Sequence, residues 1–220
     1  MANNKEHVKE KYVTGKGELV GFISIVKPST KYDSKGKDGY VAHILLPKEE
    51  GEALVTKLKE IRTEQFKKYG KGTKVAELPC LPYEIVDKET GEATPDAEGR
   101  YIFKTKASAY IENGKPKFKP ALYNAKCKPI NNISIGEGTV AKLAVTLSGY
   151  SVAGKTGVSA KLGAVQIIDL VEFSGGAFSA NTFDEEEGFD GIGEDFKDDT
   201  DTLTDTEEVI EDGEGEEADF

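Results

Sequence analysis

The chain has 220 residues, 37% of them apolar and 31% charged, with a formal net charge of −11 at pH 7. No apolar run reaches the roughly 20 residues of a bilayer-spanning helix. The two cysteines (Cys80, Cys127) and two histidines (His7, His43) are too scattered for a disulfide framework or a zinc site.

The charge is divided. Residues 184–220 hold nineteen Asp and Glu against Lys197 alone, which leaves 28 basic and 21 acidic residues in 1–183. A body near +7 carrying a tail near −18 points to a polyanion-binding domain attached to its own competitor. The plainer reading is an acidic solubilising tail. With no secretory signal in residues 1–10, the expected compartment is the cytoplasm.

Residues 1–16 are polar and lysine-rich and read as a flexible arm. Residues 18–27 (ELVGFISIVK) read as a strand with apolar residues on both faces, stopped by Pro28. A Gly/Asp/Ser-rich loop over 29–39 carries Lys31, Tyr32, Lys35 and Lys37. A second strand, 40–46, ends at Pro47. Residues 48–69 form the one convincing helix, with Leu54, Leu58, Ile61, Phe66 and Tyr69 as its apolar stripe. Gly70 and Gly72 mark its end. Residues 71–99 look irregular, with a turn at 87–91.

Alternation returns over 101–111. Tyr101, Phe103, Ala107 and Ala109 share one face, and Lys104, Lys106, Ser108 and Tyr110 the other. Asn113-Gly114 predicts a hairpin. The return strand, 115–123, carries Lys117, Lys119 and Tyr123 on one side. In 139–150, Ala141, Leu143, Val145 and Leu147 read as core, and Lys142 and Tyr150 as open face. A last β segment covers 158–173, with Gly163 at a bulge. The expected organisation is an arm over 1–16, a domain over 17–174 and a disordered acidic tail over 175–220. Five strands and one helix suit a mainly β, OB-fold-like Greek-key barrel; a small β-sandwich is the alternative.

Three outward faces repeat one pattern: Lys104, Lys106 and Tyr110; Lys117, Lys119 and Tyr123; Lys142 and Tyr150. Lysines that track phosphates beside rings that stack bases are what a single-strand nucleic-acid binder needs. Lys31, Tyr32 and Lys155 add loop candidates. Residues 149–156, GYSVAGKT, spell the phosphate-loop motif. That motif must open a helix, whereas Gly157 and β-type alternation follow here, so a glycine-rich hairpin is expected and a nucleotide hydrolase is the disfavoured reading. No catalytic set and no cofactor motif stands out. In the tail, Phe178, Phe183, Phe189 and Phe196 recur among carboxylates, and the chain ends Asp219-Phe220. Interleaved acids and rings mimic a single strand and are expected to occupy the lysine-tyrosine surface when DNA is absent. The terminal pair offers a partner a ring and a free carboxylate. An acidic-tail interaction protein without DNA binding is the third reading.

Over about residues 17–173 the sequence resembles the single-stranded DNA-binding proteins of tailed bacteriophages. The resemblance rests on Ile25-Val26-Lys27-Pro28, Gly39-Tyr40, residues 44–47, Tyr101-Ile102-Phe103-Lys104, Ile135-Gly136-Glu137-Gly138-Thr139 and the acidic tail with its terminal ring. It implies an OB-fold, strand annealing, no membrane, and homodimers in which each tail reaches the other subunit's groove. It also implies that Phe220 contacts the phage DNA polymerase and helicase-primase. The family places a tryptophan near the tyrosine matching Tyr150; this chain has none, and Val152 stands about there.

Overall fold

The computed structural model describes residues 7–30, 38–87, 89–131 and 133–173. They belong to one unit, Met1–Ser179; a second, Ala180–Phe220, lies outside the described residues. So do Lys31, Tyr32, Asp219 and Phe220.

β1 (Lys9–Val13) alternates exposed Lys9, Lys11 and Val13 with half-buried Glu10 and Tyr12. The expected flexible arm is therefore a strand over these residues. An edge strand with one solvated face reads as polar sequence, which hid it. β2 (Gly17–Leu19) and β3 (Ser24–Ser29) replace the single strand expected over 18–27. The break includes Gly21, at φ +67°, which glycine adopts without steric cost. β3 also passes through Pro28. Among the described residues it pairs with β4 (Gly39–Leu46) alone, irregularly between Ser24 and Ser29, and such an edge tolerates the missing N–H.

α1 (Lys48–Tyr69) has the expected bounds. Glu49 and Glu50 in its first turn and Lys67 and Lys68 in its last complement the helix dipole. Its buried face is Gly51, Leu54, Leu58, Ile61 and Gln65, while Phe66 is 38% exposed. Gln65 takes the core position because its amide is satisfied there. Its Oε1 accepts from Val8 N at 3.3 Å, and its Nε2 meets His7 Nδ1 at 2.8 Å.

Residues 71–99 hold four short strands rather than an irregular stretch: β5 (Lys74–Val75), β6 (Cys80–Pro82), β7 (Glu84–Val86) and β8 (Ala93–Pro95). Elements of two or three residues leave no readable period. β9 (Tyr101–Ser108) stops short of the expected Ile111. Tyr110 lies beyond its end at φ +50°. β10 (Ile111–Glu112) and β11 (Lys115–Pro116) make the expected hairpin, with Asn113 and Gly114 at φ +52° and +71°, the sign pattern of a type I′ turn. The return strand is interrupted and resumes as β12 (Ala121–Tyr123). β13 (Val140–Val152) and β14 (Lys155–Asp169) form a long hairpin turning at Ala153 and Gly154, both at positive φ.

Five strands close on themselves in the order β13–β2–β4–β9–β14–β13. Every neighbouring pair is antiparallel except β9 and β14. This is the closed Greek-key barrel of an OB-type fold, so the sandwich alternative falls. Leu19, Tyr40, Ile44, Phe103, Leu143, Leu147, Leu162 and Val165 fill it. Burial of each such side chain contributes about 1.5–3 kcal/mol. α1 packs against β13, β14, β6 and β9. Gly163 sits unpaired between the Ala144–Ala164 and Val145–Leu162 pairs, the bulge anticipated from the sequence.

Candidate nucleic-acid interface

On β9, Phe103, Thr105 and Ala107 are buried and Lys104 and Lys106 project outward, as strict alternation requires. Register carries that outward face across the barrel. Lys104 pairs with His43 on β4, and Lys106 with Lys161 on β14. Lys161 in turn pairs with Thr146 on β13, and Thr146 with Lys11 on β1. Side chains directly opposite one another share a face. One cross-strand line therefore holds Lys106, Lys161, Thr146 and Lys11.

This face borders a groove of about 720 Å³ lined by Lys104, Lys106, Lys161, Tyr110, Tyr150, His43, Ser159 and Phe22. Among the described residues, Glu77 is the one carboxylate of its lining. Tyr110 is 59% exposed at one wall. Its carbonyl accepts from Lys117 N, and neighbouring Ala109 accepts from Phe118 N, each at 3.1 Å. These bonds hold the residue at its unusual positive φ. The Lys161 ammonium lies 5.6 Å from the Tyr110 ring centroid and 4.7 Å from that of Phe118. Cation–π attraction of about 0.5–1 kcal/mol per exposed pair steadies the cluster.

Tyr150 is positioned by a glycine. It pairs with Gly157 on β14, and a Cβ at Gly157 would stand 2.6 Å from the tyrosine oxygen. The ring thus lies across the bare backbone. His43 presents a buried Nδ1 with no hydrogen-bond partner. Burial pushes its pKa below the ordinary histidine value, and the charges of Lys104 and Lys106 push in the same direction.

Other sequence-derived candidates lie elsewhere. Lys142 and Tyr123 line a separate recess of about 280 Å³. Lys142 and Tyr150 share the outer face of β13 but stand near opposite ends of this 13-residue strand, so they border different cavities. Lys117 and Lys119 are exposed on the interrupted return strand and line neither cavity, and Lys117 is ion-paired with Glu112. Lys155 is exposed beside the β13–β14 turn, next to β5, where it pairs with Lys74. It begins a strand, so GYSVAGKT builds a hairpin and not a phosphate loop. Val152 is 64% exposed beside that turn.

Sequence reasoning missed Lys161, Phe22, His43 and the β1 lysines. Lys161 was readable from the alternation of Val158, Ala160 and Leu162 with Ser159 and Lys161. Lys9 and Lys11 were not, because nothing local says which strand they border. A larger groove, about 820 Å³, follows β3 and residues 133–135, and Lys27 is the one basic residue of its lining among the described residues.

Several solved structures resemble the chain, two phage proteins among them. One is gp2.5, a single-stranded DNA binding protein encoded by bacteriophage T7. It has a TM-score of 0.56 at 20% identity over 83% of this chain and 98% of that one, a likeness that shows the fold. The other is the single-stranded DNA-binding protein from bacteriophage Enc34 in complex with ssDNA. Its TM-score is 0.49 at 17% identity, over 77% of this chain and 89% of that one. A comparison with curated proteins finds no match. Residues 10–202 match the family described as "Enterobacter phage Enc34, ssDNA-binding protein", and the chain belongs to that family.

Proposed function

We propose that the chain is a non-catalytic single-stranded DNA-binding protein of phage replication and recombination. The observation that carries this is the groove in which Lys104, Lys106 and Lys161 stand beside the rings of Tyr110 and Tyr150. Ammonium groups neutralise phosphates, and each stacked base adds roughly 1–3 kcal/mol with little dependence on sequence. Lys155, beside the β13–β14 turn, and Lys31 and Tyr32, which precede β4 in sequence, are assigned to the same contact, since the corresponding connections of OB-type barrels bind nucleic acid. Lys119 gives a diffuse positive field, whereas the charge of Lys117 is offset by its ion pair with Glu112.

Residues 175–220 act as an anionic tail that competes with DNA for the groove, and Asp219 and Phe220 dock on the phage DNA polymerase and helicase-primase. The tail's acids and rings and its tethering favour this, because a tethered competitor works at millimolar-scale effective concentration. The working species is a homodimer in the host cytoplasm.

Fluorescent oligo-dT, titrated with the full-length and the 1–183 protein at two salt concentrations, tests the reading. Binding is expected to be tighter without the tail and to weaken steeply with salt. If the 1–183 protein folds and ignores oligo-dT, the DNA reading is wrong and a role in binding basic proteins through the tail replaces it. Equal affinity of the two forms at low salt refutes tail competition.

A further inference from the structure

The outer face of the β13–β14 hairpin does not end at Lys161. The bulge at Gly163 shifts the outward positions of β14 to Ala164 and Gln166, and the pairs Ala144–Ala164 and Lys142–Gln166 continue the same surface. β1 adds Val13 opposite Ala144, and β12 adds Ala121 opposite Ala164 and Tyr123 opposite Gln166. Two cross-strand rows result. One is small and apolar: Val13, Ala144, Ala164, Ala121. The other is polar and aromatic: Lys142, Gln166, Tyr123. All of these but Ala121, together with Cys127, border the recess of about 280 Å³.

Its rim is built. Gln166 Nε2 donates to Ala125 O at 3.1 Å and to Cys127 Sγ at 3.3 Å, tying the loop after β12 to the barrel. Asn124 Oδ1 accepts from Lys126 N and Lys128 N, each at 3.0 Å. That loop presents Lys126 and Lys128, both exposed.

We propose that this recess is a second base-stacking subsite for the DNA strand that occupies the lysine groove. Ala144 and Ala164 form its floor, Tyr123 its ring, and Lys142, Lys126 and Lys128 its phosphate contacts. The proposal rests on the single-stranded DNA reading above. Continuity of the outer face with the groove, and Lys142 as the charged residue of the described lining beside a loop that exposes Lys126 and Lys128, favour a nucleic-acid occupant over an apolar peptide. Tyr150 and Lys142 lie eight residues apart on β13, roughly 26 Å at about 3.3 Å per residue. Only a strand long enough to cross that span engages both sites.

Cys127 supplies the readout. It is exposed, whereas Cys80 is buried, so iodoacetamide reports on the recess in the full-length protein. Oligo-dT of about 16 nucleotides, near the upper end of site sizes for such barrels, is compared with one of about 4. Anisotropy confirms that each is bound. The longer strand is expected to slow Cys127 alkylation about tenfold or more and the shorter one to leave it unchanged. Tyr123→Ala is expected to weaken the longer strand about fivefold or more and spare the shorter, with Tyr123→Phe restoring binding. Tyr150→Ala is expected to weaken both. Unchanged alkylation with the long strand bound, or a Tyr123→Ala protein that binds it normally, overturns the subsite. Equal protection by the short strand overturns its place at the far end. If neither strand binds, the parent reading fails first.

Discussion

Replacing Gly157 by alanine should damage DNA binding without touching a charge or a ring. The new methyl would stand 2.6 Å from the Tyr150 oxygen, 2.8 Å from the adjoining ring carbon and 2.8 Å from Ala76 Cβ. Carbon–carbon contacts are comfortable at about 3.5–4.0 Å, so something must move by nearly 1 Å. Ala76 is held by its own N–H, which donates to Thr156 O at 2.8 Å, and its carbonyl accepts from Arg62 Nη1 at 3.0 Å. Tyr150 is half-exposed and free to swing outward. The ring therefore yields. The loss should approach one stacked base, roughly 1–3 kcal/mol, or about 5- to 140-fold in Kd at about 1.4 kcal/mol per tenfold. Oligo-dT anisotropy measures it, and urea unfolding should show an overpacking cost of at most about 1–3 kcal/mol. A double-mutant cycle isolates the cause: in a Tyr150→Ala background, Gly157→Ala should cost almost no further affinity. Wild-type affinity in Gly157→Ala, or the same loss in both backgrounds, would refute the placement of the ring by the glycine.

The groove lysines set the salt response: Lys161→Ala should flatten the slope of log K against log salt by about 0.7, whereas Lys117→Ala, paired with Glu112, should leave it unchanged. His43 should titrate below the ordinary histidine value because burial and then Lys104 and Lys106 disfavour its charged form; saturating oligo-dT should raise that pKa as phosphates offset the lysines, as followed by NMR of the imidazole. Hydrogen bonds from Arg100, first from its side chain and then from its backbone N–H, hold the Asp96 carboxyl below its usual range. With the folded pKa depressed, its stabilisation is complete above the unfolded value of about 4 and is lost as pH falls through the lower folded value; Asp96→Asn should flatten this acid limb in urea midpoints taken against pH. Burial pushes the Cys80 thiol up to about 12, so a thiol reagent at neutral pH should titrate Cys127 alone until denaturant releases Cys80.

Legibility followed the length of each element and the number of faces it buries. The helix was plain because 22 residues repeat one period against one core. β9 and β13 were plain because alternation marks strands with one wet face. The stop at Pro28 failed because proline's cost depends on whether the strand is at an edge, which its own residues do not state. Phe66 displaced Gln65 in the expected stripe because a fully bonded amide is as acceptable inside as a ring, and its partners His7 and Val8 lie far away in sequence. At the site, Lys104, Lys106, Tyr110 and Tyr150 were recognised from local pattern, and all four line the groove. Lys161 needed the pairing of β14 with β9 to become their neighbour.

The order of residues along the chain, by itself, determined the separation of a basic body from an acidic tail, the helix, the alternating strands, the bulge at Gly163 and the chemistry of the binding face. These are local matters of composition, period and backbone freedom. Closure of the barrel decided the rest. Register across β1, β13, β14 and β9 set Lys11, Lys161 and Lys106 on one line, and the length of β13 set Tyr123 and Lys142 apart from Tyr150. Alternation says which way a side chain faces; only pairing between distant strands says which other side chains it meets there.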